Sequence, residues 1–494
     1  MAGGAARRPD AGLWLLAAAL LVYGLESWRM PPQYDDAFIS YRYAANWLAG
    51  QGLVFNPGEF VEGFSNLLWT LLVAGGMALG LPAQTVGHAL GLVSGAGALV
   101  ATWLYARALR PELPSVWAGV AAWTLLASAA FARWAVSGME TPLFAALVAA
   151  ALAADARARH GLATGLALLA TLTRPEGALV AASLFGFRVL AGGLRDRALR
   201  RDVLAYAAGC AALTLFRVAY YGDPLPNTFY AKTGGIWLSL GAWFAAAFLL
   251  GNAGACALPA VAAVRHERRS WPGAAFAAVF LLYGVSIGGT PRYLTPLVPA
   301  LAALGAVGAG LWWQRGGSLR IAGAAAIAAS LVLCGIGSGP LLGRPLRDAL
   351  AAPARTHGIA AEQAADGTNE QLALRRVAIL RQRGAPVAAV ATGAIGAFGF
   401  HSRLPIVDIL GVIDPVVARS PVPPDPLRIA LPGHQRSNPD YVLSRAPDYV
   451  LISNGEGPQQ LPDWVPAVTD LRAHRELARH YDWDPEIVGY RRVR

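Results

Sequence analysis

From Gly12 onward the chain runs through a succession of apolar segments, most of them near the length of about 20 residues that a helix needs to cross a bilayer, and this constrains the fold more than any other feature. The first covers residues 12–28, and later ones centre near residues 72, 96, 125, 148, 168, 185, 212, 250, 281, 303 and 330. Inside hydrocarbon every backbone N–H and C=O must be satisfied within the segment, so such runs are read as α-helices. A content of 55% hydrophobic and 14% charged residues agrees with an integral membrane protein.

The formal net charge of +11 does not point to nucleic acid. The arginines sit in short loops between apolar runs, at Arg7 and Arg8, between Arg195 and Arg201, between Arg265 and Arg269, and at Arg315 and Arg320, which is the pattern of cytoplasmic loops. No small-residue cleavage site follows the first run, so it reads as a retained helix with a cytoplasmic N-terminus. Twelve candidate spans would return the C-terminal region to the cytoplasm. The arginine clusters agree with one another only if one early candidate, between residues 64 and 136, is not a separate span. We therefore expect about eleven spans and an extracytoplasmic C-terminal domain, with the loops at residues 137–141, 173–177, 220–235 and 288–295 on the outer side.

The most polar and aromatic window of this apolar half is residues 33–69, the expected first external loop (residues 30–65) with its flanks. It opens with Asp35 and Asp36 directly after a predicted membrane helix and goes on through Arg42, Asn56, Glu59, Glu62 and Asn66. Adjacent carboxylates push their pKa values apart and suit general-base work on a hydroxyl. The same two residues could equally cap an amphipathic helix over residues 37–49. Carboxylate oxygens also suit Mg²⁺ or Ca²⁺, but one acidic pair offers too few ligands to specify a metal.

Of the 41 basic residues 40 are arginine, and the single lysine is Lys232. A compact ammonium retained once suggests a phosphate ligand, where a planar guanidinium would sit differently. Arg174 and Arg292 stand at predicted outer helix ends beside prolines, and charges at membrane depth usually face an interior cavity. Together with Lys232 they could clamp a lipid phosphate. Glu140 lies at similar depth, able to bind a sugar hydroxyl or pair with one of these arginines, and Glu176 is two residues from Arg174. No phosphate-binding glycine loop or HExxH motif is present. The three cysteines, Cys210, Cys256 and Cys334, lie far apart in apolar runs and read as small core residues.

From about residue 339 the composition turns mixed and polar. We expect a transmembrane domain over residues 1–338 and a soluble α/β domain over residues 339–494, with a helix over 371–383 and strands over 387–391, 405–408 and 449–452. Asp408, Asp414, His434 and Tyr441 could hold an acceptor, or the domain could be a cap over the site.

These motifs resemble the GT-C class of multi-pass glycosyltransferases, and within it the mycobacterial terminal β-(1→2)-arabinofuranosyltransferase branch. The resemblance rests on Asp35-Asp36-Ala37-Phe38-Ile39-Ser40-Tyr41-Arg42-Tyr43, Phe55-Asn56-Pro57-Gly58-Glu59, Val61-Glu62-Gly63-Phe64-Ser65-Asn66, Gly138-Met139-Glu140-Thr141-Pro142, Thr173-Arg174-Pro175-Glu176-Gly177 and Pro226-Asn227-Thr228. It continues through Gly393-Ala394-Ile395-Gly396, Val407-Asp408-Ile409-Leu410-Gly411 and Asp414-Pro415. It implies an inverting enzyme of a bacterial plasma membrane. Its donor would be a polyprenyl-phosphate sugar, its acceptor a cell-envelope glycan or glycolipid, and arabinofuranose is the sugar of that branch. Asp35 or Asp36 would be the general base. Arg42, Asn56, Glu59, Glu62, Asn66, Glu140, Arg174, Glu176, Asn227, Lys232 and Arg292 would line the substrate site, and a divalent cation, Mg²⁺ or Ca²⁺, at the acidic pair stays open. The rival reading from another class is a transporter or flippase for a lipid-linked sugar, which would more often show repeated hydropathy; none is found.

Overall fold

The computed structural model describes residues 10–29, 34–233, 238–288, 291–338, 359–422, 433–452 and 465–493. Gln33, Gly235, Gly289 and Thr290 from the loops singled out above fall outside the described residues, as do the expected domain boundary at 339 and the side chain of Cys334.

The chain begins with α1 (Ala11–Arg29), a short α2 (Ala37–Leu48) in the polar stretch, and α3 (Leu67–Ala78). There follow α4 (Ala83–Leu109), α5 (Val116–Ala127), α6 (Ala129–Ala135), α7 (Thr141–Ala156), α8 (His160–Thr173), α9 (Gly177–Gly192) and α10 (Arg197–Tyr221). A short α11 (Asn227–Lys232) leads to α12 (Leu238–Gly251), α13 (Ala257–His266), α14 (Trp271–Ser286), α15 (Pro291–Leu294), α16 (Val298–Arg315) and α17 (Gly317–Ser338). Local chemistry sets several ends. The Asp196 carboxylate accepts the Ala198 N–H at 2.9 Å to cap α10, and Gly222 in the left-handed region (φ 78°) closes it. Proline stands in the first turn of α7 and of α16, where its missing N–H is no loss.

Among the described residues, Ala83–Leu109, Arg197–Tyr221 and Arg292–Arg315 form helices long and apolar enough to cross a membrane, and Gly241–Gly251 with Gly254–His266 is an apolar pair bent by 84°, of the kind found in a broken span or a re-entrant loop. Shorter apolar helices complete the bundle. Among them α3 and α5, at 12 residues each, are about 18 Å long against a hydrocarbon thickness of about 30 Å. Both belong to the early region where the charge pattern requires one candidate fewer.

Burial separates two of the long helices. The Arg292–Arg315 span is 94% buried and forms the axis of the bundle, whereas Arg197–Tyr221 is 6% buried and lies on its rim, facing outward. Small residues let helices meet α16 closely: a Cβ on Gly305 would strike Cys256, and one on Gly308 would strike the Pro259 carbonyl. Cys256 is thus a buried core residue, as expected, with its sulfur 3.3 Å from the Ser330 hydroxyl, and Cys210 is half-buried. One end of the bundle is tied by Arg110 to Glu267 (2.5 Å), Arg188 to Asp202 (2.8 Å) and Arg315 to His266 (2.7 Å). The loops carrying Glu140, Arg174, Lys232 and Arg292 gather at the other.

Beyond α18 (Ile359–Arg383) a five-stranded sheet has the order β2-β1-β3-β5-β4. Its strands are β1 (Val390–Thr392), β2 (Ile406–Asp408), β3 (Tyr449–Leu451), β4 (Tyr481–Asp484) and β5 (Gly489–Arg492). The first three pair in parallel and β4 and β5 add an antiparallel hairpin. Between them lie α19 (Gly396–Ser402), α20 (Pro415–Ala418), α21 (Pro439–Ser444), α22 (Pro466–Ala473) and α23 (Arg475–His480). Phe38, Tyr43, Phe55 and Phe64 of the first loop share one buried cluster with Phe398, Ile406, Ile413 and Tyr449. The sheet region and the first loop therefore pack over a common core.

Candidate active site

Local sequence explains why the two first-loop aspartates part company. Asp36 occupies the N-cap position of α2 but its side chain caps nothing, so the helix-cap reading does not hold. Asp35 turns to the tail, where Oδ1 accepts the Ala397 N–H at 2.9 Å and Oδ2 the Gly396 N–H at 3.3 Å. Position 396 must be glycine for this approach, because a Cβ there would collide with the Asp35 carbonyl. Burial pushes the Asp35 pKa up to about 6, against the two amide N–H groups and with the help of neighbouring Asp36. The Asp36 side chain, 46% exposed, accepts from Arg292 Nη1 at 3.1 Å.

The three cations singled out in the sequence converge on one residue that was not, Tyr293. Lys232 Nζ donates to its hydroxyl at 3.2 Å. The Arg174 and Arg292 guanidinium carbons lie 4.9 and 5.5 Å from its ring centroid, within the range of a cation–π contact. Arg292 also stands 5.8 Å from the ring of Tyr34 and 5.6 Å from that of Trp134. Arg174 Nη1 bonds Glu140 Oε1 at 2.7 Å and Nη2 bonds Glu176 Oε1 at 3.2 Å, with Tyr283 donating to the same oxygen at 3.2 Å. Glu140 in turn accepts from Asn66 Nδ2 at 2.9 Å, and Asn66 bonds Ser40. Each of the two arginines thus has a carboxylate. Lys232 is exposed and, among the described residues, has none.

The remaining expected site residues do other work. Arg42 is 1% exposed and donates only to oxygens of the protein: Phe55 O (2.7 Å), Gly399 O (2.7 Å), Leu404 O (2.8 Å) and Asn56 Oδ1 (3.3 Å). Burial and nearby Arg403 hold its pKa below the usual arginine value. Asn56 pairs with both backbone groups of Ile406, giving Nδ2 to its carbonyl (2.8 Å) and taking its N–H on Oδ1 (3.0 Å). It acts as a one-residue strand against the edge strand β2. Glu59 bonds Arg445 (2.9 Å), and Asn227 donates to Gly411 O (2.8 Å) and Val412 O (3.0 Å). Glu62, buried, takes the guanidinium fork of Arg217 at 2.7 and 3.0 Å; burial raises its pKa and Arg217 opposes that. Four of these side chains fasten the first loop to α10 and to the tail, and Asn227 fastens α11 to the tail.

Of the tail residues, Asp408 is fully buried and accepts the N–H groups of Leu410 and Ile413, its pKa pushed up to about 6 by burial, while Asp414 caps α20. Both hold loops. Tyr293 was legible only as the neighbour of Arg292, and Arg217 as an ionisable residue inside an apolar run. Among the described residues no three acidic, histidine or cysteine side chains gather as a metal would need, and the donor set at the acidic pair does not fit one. Asp35 faces amide N–H groups and Asp36 faces a guanidinium.

Comparison with known proteins places this arrangement. The solved structure of the Archaeoglobus fulgidus oligosaccharyltransferase in the apo form aligns with 82% of this chain and 65% of its own, at 11% identity and a TM-score of 0.52. That of the oligosaccharyltransferase AglB from Archaeoglobus fulgidus, in complex with an inhibitory peptide and a dolichol-phosphate, aligns with 89% of this chain and 69% of its own, at 13% identity and a TM-score of 0.50. The chain has the GT-C fold. Within that fold, the terminal β-(1→2)-arabinofuranosyltransferase of Mycobacterium tuberculosis is 32% identical over 243 residues, which is 44% of this chain and 38% of that enzyme. The match therefore spans well under half of the curated relative. A family described as Domain of unknown function (DUF8728) matches residues 359–489 of the GT-C chain's tail.

Proposed function

We propose that this membrane protein transfers a sugar from a polyprenyl-phosphate donor to a cell-envelope glycan or glycolipid, with inversion. The observation that carries the reading is the meeting of Lys232, Arg174 and Arg292 on Tyr293 with the half-exposed Asp36 carboxylate at its edge. Lys232, which has no carboxylate partner among the described residues, receives the donor phosphate first, and the two arginines complete the clamp. Asp36 takes the proton of the acceptor hydroxyl as that oxygen attacks the anomeric carbon. The bond from that carbon to the phosphate oxygen breaks, and polyprenyl phosphate departs with its negative charge stabilised by the cations. Asp35 positions α19 beside this site rather than acting as base, since both its oxygens hold backbone N–H groups. The names of the relatives support the chemistry: one is an arabinofuranosyltransferase, and the AglB structure carries a dolichol-phosphate. Arabinofuranose is the first sugar to test. In this reading the N-terminus is cytoplasmic and the site and tail face outward from a bacterial plasma membrane, with residues 1–338 as the membrane domain and 339–494 as the outer one.

The test is transfer from a panel of synthetic polyprenyl-phosphate sugars to envelope glycans by wild type, Asp36→Asn and Asp35→Asn. Asp36→Asn should lose about 10²- to 10⁴-fold in kcat, the usual worth of a general base, while still binding donor. Asp35→Asn should retain most of kcat. Consumption of no donor by wild type, with labelled lipid-linked sugar crossing a reconstituted bilayer instead, would make the protein a flippase.

A further inference from the structure

Six side chains form a strip along the seam between the first loop, the α10–α11 connection and the tail. At one end Arg445 bonds Glu59 Oε1 at 2.9 Å and the Tyr441 hydroxyl at 3.0 Å. At the other Arg419 bonds Asp223 and sets its guanidinium carbon over the Tyr230 ring, 4.0 Å from the centroid, while the Tyr230 hydroxyl donates to Asp223 at 2.7 Å. The four-residue α20, about 6 Å long, joins the two ends: Asp414 at its start faces Tyr441 and Arg445, and Arg419 follows its last residue. Both ion pairs stay between one-third and one-half exposed, unlike the closed pair of Glu62 with Arg217.

The composition of the strip selects a class of ligand. Its exposed arginines and carboxylates, two of each, cancel, and the third carboxylate, Asp414, is buried behind them, so neither an anion nor a cation is favoured at the surface. Planar donors and acceptors alternate along it, matching hydroxyls, which both give and take hydrogen bonds. The rings of Tyr230 and Tyr441 offer apolar faces with a polar tip. The strip borders the helix that carries Lys232, since Tyr230 stands two residues before it on α11, with the two side chains on different faces.

We propose that this seam binds the acceptor as a neutral oligosaccharide of several sugars and aims its terminal hydroxyl at Asp36. The proposal rests on the transferase reading for its purpose, but its test does not. Full-length protein in nanodiscs is titrated with a linear arabinofuranosyl tetrasaccharide and with a mannosyl tetrasaccharide, without donor. Wild type should bind at least one of them, and Arg419→Ala and Arg445→Ala should each weaken that binding 10-fold or more. With donor present, acceptor KM should rise by a similar factor while donor KM stays within 2-fold. Because these pairs also bridge the seam, the exchange Glu59→Arg with Arg445→Glu rebuilds the ion pair in reverse and should bind as poorly as Arg445→Ala, with the tail equally resistant to protease. The proposal is overturned if wild type binds neither tetrasaccharide, if the single variants bind like wild type, or if the reversed pair restores binding. Tetrasaccharide binding without consumption of any donor would leave this site standing and remove the transferase reading.

Discussion

Replacing Arg42 by alanine separates a structural staple from a substrate ligand. Two of its four contacts reach the tail, to Gly399 O and Leu404 O, each as a hydrogen bond from a charged donor. Bonds of that kind contribute about 1.5–3 kcal/mol apiece, so the seam should lose about 3–6 kcal/mol. The guanidinium 4.2 Å over the Phe55 ring adds about 1 kcal/mol more. The loss is not larger because two of the acceptors keep a second donor: Phe55 O still receives Asn46 Nδ2 at 2.8 Å, and Gly399 O still receives the Arg403 N–H at 3.2 Å. Arg42→Lys should recover less than half, since one ammonium cannot serve three divergent carbonyls. The assay is amide hydrogen exchange across α19 and β2, which reads local opening. Exchange there should accelerate by about 10³- to 10⁵-fold, for about 4–7 kcal/mol in all at about 1.4 kcal/mol per decade. Unchanged exchange with a donor KM raised more than 10-fold would refute this account and return Arg42 to the substrate site.

Asp35 gives a pH prediction. Its folded pKa, about 6, lies above the ordinary carboxylate value, so its contribution to stability is complete below about pH 4 and is lost as pH rises through about 6. Asp35→Asn should therefore flatten part of the fall in apparent Tm that wild type shows across that window. Arg217→Ala should destabilise by about 3–5 kcal/mol, because it strands a buried Glu62 carboxylate, and leucine at both positions should recover most of this in thermal unfolding. Tyr293→Phe should raise donor KM a few-fold by removing the hydroxyl that receives Lys232. Tyr293→Ala should lower kcat/KM by about 10- to 100-fold by removing the ring between the cations, at about 0.5–2 kcal/mol per contact.

Much of the helical plan could be read from the apolar runs, since each centre expected from them falls inside an observed helix. The break between α12 and α13 was missed. It turns on Ala253 (φ 61°, left-handed) within Gly251-Asn252-Ala253-Gly254, whose glycines and asparagine are turn formers that a hydropathy centre near 250 passes over. The strands of the tail were legible where they are buried, at Ile406–Asp408 and Tyr449–Leu451, and shifted by a few residues at Val390–Thr392. The Tyr481–Asp484 and Gly489–Arg492 hairpin was missed although Tyr481-Asp482-Trp483-Asp484 alternates aromatic and acidic residues, because each strand is only four residues long and lies at a polar edge.

The candidate site divides in the same way. Asp36, Asn66, Glu140, Arg174, Glu176, Lys232 and Arg292 gather because a charge at a helix end near hydrocarbon needs a partner of its own kind. Arg42, Asn56, Glu59, Glu62 and Asn227 looked similar in the sequence. Their partners, however, are backbone carbonyls, an edge strand and two arginines that no local pattern could have indicated.

The staples between first loop and tail also set an order of events in biogenesis. Arg42 is made 357 residues before the Gly399 carbonyl and 362 before that of Leu404, and Asn56 is made 350 before Ile406. While the ribosome works through the intervening helices, Arg42, Asn56 and the Asp35 carboxylate wait without their partners in the tail. A nascent chain halted within those helices would hold every cation of the site and still lack a closed first loop. Completion of the tail thus becomes the step that closes the first loop over the bundle, and it comes last in synthesis.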